Sequence, residues 1–65
     1  MTYDEFVAEV NAYKIATRQR RGQAYFNMLH TYRPDLSEQI RSTDLDPFYK
    51  DYVPADCIAF VIKEW

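Results

Sequence analysis

Residues that carry chemistry are scarce in this chain. It has one cysteine, Cys57, and one histidine, His30. A lone cysteine excludes an intramolecular disulfide, and one Cys with one His cannot furnish a Cys-based zinc site. The longest unbroken apolar run, Cys57–Ile62, has six residues, and a bilayer span needs about 20. Asp4 and Glu5 stand where a secretion signal would carry positive charge. These features together lead to the expectation of a protein of the reducing cytoplasm. The single glycine, Gly22, opens GQAYFN, which lacks the second glycine and the Lys-Ser/Thr of a phosphate loop and follows no strand. Internal repeats, heptads and low-complexity tracts are missing too. No cofactor is expected.

Aromatics, by contrast, are plentiful, with 6 Tyr, 4 Phe and 1 Trp in 65 residues. One domain of this size, residues 1–65, buries only about 60% of the surface its unfolded chain exposes. Aromatic rings offset that, since each can bury roughly 150–250 Å². With 48% hydrophobic residues, the composition is that of a globular domain and not of a disordered tail.

Periodicity and punctuation divide the chain into helices. Thr2-Tyr3-Asp4-Glu5 has the pattern of a capping box. Phe6, Val10, Tyr13 and Thr17 follow at helical spacing, which predicts a first helix over about residues 3–19. Gly22 breaks the pattern, and Phe26, Leu29 and Tyr32 define a second helix over 22–32. Arg33-Pro34 ends it and starts PDLSEQIR, with Leu36 and Ile40 facing the core. Pro54 opens a last helix bearing Ile58, Val61, Ile62 and Trp65, the most apolar element and the expected centre of the core. The fold class is therefore all-α: a small single-domain bundle of three main helices plus one or two short turns. The expected core is Phe6, Val10, Phe26, Leu29, Leu36, Ile40, Phe48, Tyr49, Ile58, Val61 and Ile62.

TDLDPFYKDY, residues 43–52, concentrates three acids and three aromatics. A calcium loop starting at Asp44 needs an oxygen ligand at 48, a glycine at 49 and a glutamate at 55. Phe48, Tyr49 and Ala55 occupy those places. The stretch reads instead as a structural lock: Asp46 caps a turn, Pro47 fixes the backbone, and Phe48 and Tyr49 anchor in the core. Carboxylate catalysis needs a cleft that separates two pKa values, and a bundle this small has little room for one.

Charge is unevenly placed within a net of −2. Residues 14–33 hold Lys14, Arg18, Arg20, Arg21 and Arg33 and no acid, whereas the remainder has three bases against ten acids. Arg suits phosphate through its planar fork. The acidic pI of about 5.1 opposes a nucleic-acid role, and a solvated helix end paired with the chain's own acids is the simpler reading. Gln23 and Asn27, four apart, read as structural hydrogen-bonding residues. Cys57 and His30 are the only thiol–imidazole pair available, and a lone Cys in an apolar helix reads as a small core residue.

Taken together, R-x-R-R-G-Q-A-Y-F-N-M-L, then R-P-D-L-S-E-Q-I-R-S-T-D-L-D-P-F-Y, then a last helix ending in Trp resemble a group of short proteins encoded by bacteriophages, including phages of cyanobacteria. The resemblance covers residues 20–65, and its group carries no assigned activity or site residues. It implies a small phage protein acting in the host cytoplasm, where such proteins commonly bind and redirect a host protein. The expected function is non-enzymatic docking on a host or phage protein, with Arg18, Arg20, Arg21, Tyr25 and Tyr32 at the interface, because Tyr and Arg dominate interface energies. The alternative is weak nucleic-acid binding through the basic segment 14–33. Neither reading involves a membrane.

Overall fold

The computed structural model describes all 65 residues, as four helices and no strand. Helix α1 spans Tyr3–Thr17. Its start is the expected capping box: Glu5 N donates to Thr2 Oγ1 at 3.1 Å and Thr2 N donates to Glu5 Oε1 at 2.8 Å. Only Phe6 and Val10 of α1 are buried. The helix stops two residues before the expected 19, with the Thr17 hydroxyl on Tyr13 O at 2.7 Å. Arg18 then takes the left-handed conformation at φ 58° and donates its N–H to Lys14 O.

Helix α2, Arg21–Tyr32, is the centre of the fold. Gly22, Ala24, Tyr25, Phe26, Met28 and Leu29 are all buried on it, since it packs against both α1 and α3. Gly22 is present for a steric reason. A Cβ there would lie 2.0 Å from Pro47 O, 2.5 Å from Lys50 O and 3.0 Å from Tyr52 O. The 47–52 backbone thus rests directly on the first turn of α2, and Gly22 N donates to Lys50 O at 3.1 Å.

Helix α3 is Pro34–Ile40, with Pro at its first position. Leu36, Ser37 and Ile40 are buried on it. The linker back to α4 is strapped by its own side chains. Thr43 Oγ1 donates to Ile40 O at 2.7 Å. Asp46 accepts from Ser42 N at 2.8 Å and from Phe48 N at 2.9 Å. Asp46 therefore caps the start of the Pro47–Lys50 turn through Phe48 N and ties it back to Ser42. Pro47 is fully buried, and Lys50 N closes a turn on Pro47 O at 2.9 Å.

The two aromatic anchors separate. Phe48 is half-buried and meets Phe26 edge-on at 5.7 Å. Tyr49 is 83% exposed and touches only the outer side of the Phe48 ring, at 4.9 Å. Tyr49 is not a core residue: Phe48 reaches inward to Phe26, and Tyr49 packs on the Phe48 ring from the surface.

Helix α4, Ala55–Glu64, buries Cys57 and Val61. The expected stripe through Ile58 and Ile62 is turned by about one residue: Ile58 is half-buried and Ile62 is 53% exposed. Cys57, Val61 and Trp65 recur every four residues and face inward, where Trp65 meets Phe6 at 5.0 Å. The core centre accordingly lies on α2 and not on α4.

Gly22→Ala tests the loop contact through its sign. In an open helix this change stabilises by up to about 1 kcal/mol. Here the clash is with backbone oxygens, and we expect a net loss of about 1–3 kcal/mol in urea unfolding. A stabilised variant would disprove the contact. Tyr49→Ala should cost less than about 1 kcal/mol and Phe48→Ala about 2–3 kcal/mol.

Candidate functional site

The three-residue turn Arg18-Gln19-Arg20 joins α1 to α2 and gathers the basic residues. Asn27 Nδ2 donates to Gln19 Oε1 at 3.1 Å, so Asn27 braces the turn as its structural reading expects. Arg18, Arg20 and Arg21 are exposed. Arg21 Nη1 donates to Asn11 Oδ1 on α1 at 2.8 Å. Arg20 reaches Phe48 O at 3.4 Å. None of the three has a carboxylate within ion-pair distance; the chain's two ion pairs are Arg33–Asp35 and Arg41–Glu38. The pairing of these arginines with the chain's own acids, one of the sequence readings, does not occur.

The other expected contact residues lie elsewhere. Tyr25 is 4% exposed and presents no free side chain to a partner. Its ring packs edge-on against Phe6 at 5.2 Å and its hydroxyl pairs with Tyr3 Oη at 3.0 Å. Burial pushes the Tyr25 phenol far above its ordinary value, and Tyr3 moves the same way for the same reason. Tyr32 is 39% exposed, but it ends α2, about 16 Å along the helix axis from Arg21. Arg33 is absorbed structurally. Its guanidinium pairs with Asp35 at 3.0 Å, lies 5.3 Å over the Trp65 ring and donates to Glu64 O and Trp65 O. Asp35 holds the Arg33 pKa up, and Arg33 holds the Asp35 carboxyl down.

Beside the arginine turn runs an apolar groove of about 330 Å³. Val10 and Tyr25 form its floor, being buried. Tyr3 and Val7 of α1 form one wall, and Tyr52, Val53 and Ile58 form the other. Arg21 is the one charged residue on its lining. Composition and spacing did not reveal this groove. Tyr52-Val53 sits in a loop, and only the loop's seat on Gly22 brings it opposite α1.

Cys57 and His30 do different jobs. Cys57 is fully buried, and burial pushes its thiol up to about 11. It is therefore a protonated core group at neutral pH. His30 is exposed at its ring edge, where Ser37 Oγ donates to Pro34 O and accepts from His30 Nδ1 at 3.0 Å. No three His, Cys, Asp or Glu side chains converge as metal ligands would, and no helix is long and apolar enough to cross a membrane.

The buried thiol sets an alkaline limit. Its folded pKa of about 11 lies above the ordinary 9.0, so the folded chain holds the proton longer than the unfolded chain does. The stability this contributes is full below pH 9 and is lost as pH rises towards 11, by about 3 kcal/mol in all. Urea midpoints should fall from about pH 9, whereas Cys57→Ala should stay level until the tyrosines titrate. An unchanged onset in the variant would contradict this assignment.

No family model matches the chain, no curated protein matches it and no solved structure does, so its own residues carry the functional reading.

Proposed function

We propose that this chain is a non-enzymatic binding protein that docks on another protein through the surface around the α1–α2 turn. The observation that carries the reading is the set of unpaired cations: Arg18, Arg20 and Arg21 stand within four residues, exposed, without a carboxylate partner. Arg is among the residue types that dominate interface energies, through bidentate hydrogen bonds and stacking. The resemblance of residues 20–65 to short phage proteins supplies a context, in which the partner is a host or phage protein met in the host cytoplasm.

A second reading, weak nucleic-acid binding, draws on the same cations. Three or four phosphate contacts give an affinity that fades steeply with salt. A net charge of −2 adds long-range repulsion. The apolar groove beside Arg21 has no use in backbone binding of this kind and favours the protein partner.

A tagged pull-down from lysate of the natural host, with and without nuclease, separates the two. We expect a stoichiometric protein band that survives nuclease and is lost on combined Arg20→Glu and Arg21→Glu substitution. Recovery of nucleic acid, with protein bands that vanish on nuclease treatment, would make the second reading correct.

A further inference from the structure

We propose that the groove between α1 and the Tyr52–Ile58 segment receives an acidic amphipathic segment of the partner protein, its apolar side chains in the groove and a carboxylate on Arg21. The inference rests on the docking reading above and specifies the partner's chemistry.

Charge complementarity selects the occupant. Of the eight lining residues seven are hydrophobic, and the eighth is Arg21. Asn11 fixes the Arg21 guanidinium through Nη1, and Asn11 is neutral, so the hydrogen bond orients the charge without cancelling it. Guanidinium carries five N–H donors, which leaves enough for a bidentate carboxylate. Arg18 and Arg20, exposed in the adjoining turn, add to the positive charge near Arg21 in the chain. At about 330 Å³ the space is at the low end for ligand pockets and suits a few side chains of a docked segment. The walls continue the pattern: Ile62, one turn beyond Ile58 on α4, is 53% exposed. An amphipathic helix laid along such a face reads as apolar anchors at i, i+3, i+4 and i+7, with the acid at the Arg21 end. Nucleic acid lacks the apolar side chains such a lining accepts, and a basic segment would meet Arg21 with like charge.

The test uses the full chain, labelled with ¹⁵N, and two short synthetic amphipathic helices. These share one leucine face and end in glutamates or in lysines. The glutamate peptide should shift the amides of Val7, Arg21, Tyr52, Val53 and Ile58 and bind on the order of tenfold tighter than the lysine peptide. Arg21→Glu should invert that preference while the chain stays folded, since an acid suits the first turn of a helix. Tyr52→Ala, at a ring 59% exposed, should weaken both peptides. Equal affinity for the two peptides would overturn the proposal, and so would shifts confined to Arg18 and Arg20. A dimer in sedimentation that disperses on Arg21→Glu would overturn it in favour of a second copy. Unmoved groove amides, with a nuclease-resistant protein band retained in the pull-down, would remove this groove and leave the docking reading standing. Single-strand oligonucleotide binding at the arginines, with a silent groove, would remove both.

Discussion

The missing side chain at Gly22 is the constraint on which the rest of the structure depends. Carbonyl oxygens of Pro47, Lys50 and Tyr52 converge on the space a Cβ would fill. They do so at the N-terminus of α2, whose unpaired N–H groups and positive dipole end attract acceptors. Helix α2 accordingly has no side-chain N-cap and no acid in its first turn; the loop's Lys50 O accepts a hydrogen bond from Gly22 N instead. A 14-residue connection from α3 to α4 would otherwise be costly to order. Its straps through Thr43 and Asp46 are local, and Gly22 is what ties them to the core. Tyr52 and Val53 stand opposite α1 for the same reason, so the groove is a product of one close backbone approach.

A second cluster joins the distant parts of the chain. Phe6, Tyr3, Tyr25 and Trp65 interlock with centroid separations of 5.0–5.9 Å. Their polar atoms are matched: the two phenols pair with each other, and Trp65 Nε1 donates to Met1 O at 2.9 Å. No buried side-chain polar atom lacks a partner. In a domain of 65 residues an orphaned hydroxyl would cost about 1–3 kcal/mol, a large share of total stability. Arg33 belongs to this cluster. Its flat guanidinium covers the indole while binding Asp35 and the last main-chain oxygens. The four arginines of residues 14–33 thus divide, with Arg33 holding the fold and Arg18, Arg20 and Arg21 facing outward.

The helices were legible because their signals are local. The capping box, the Gly22 break and Arg33-Pro34 each act within a few residues, and each sits at or next to a helix end. The helical faces are legible on α1 through Phe6 and Val10, and on α3, where Leu36 and Ile40 are the only large apolar side chains. They were misread on α4, where apolar residues occur all round and only packing chooses among them. Ile58 and Ile62 look more hydrophobic than Cys57, yet Cys57 fits the space left by α2. Tyr49 was misassigned because it adjoins Phe48 in a turn, where neither period 3.6 nor period 2 applies. Tyr25 reads as an interface residue in the sequence, which does not say whether a tyrosine hydroxyl meets water or another phenol; the fold buries it beneath the groove. The groove was invisible for a related reason: its walls come from segments some 45 residues apart, joined only through the loop.

The α1–α2 turn departs from local preference in several ways at once. Arg18 occupies the left-handed region, which costs a non-glycine residue about 1 kcal/mol or more. Arg20 and Arg21 stand at the positive end of α2, where the dipole disfavours cations. Three like charges in four residues repel, and no acid is brought in to relieve them. Each departure lowers stability in a domain with little to spare. The fold has acids in excess and places its two ion pairs elsewhere. A local rule broken repeatedly at one place, without compensation inside the molecule, is the pattern expected where compensation comes from outside. A carboxylate-bearing partner would relieve the repulsion, satisfy the guanidinium donors and cover the apolar lining beside Arg21 in a single contact, and that convergence is why the docking proposal is centred on this turn.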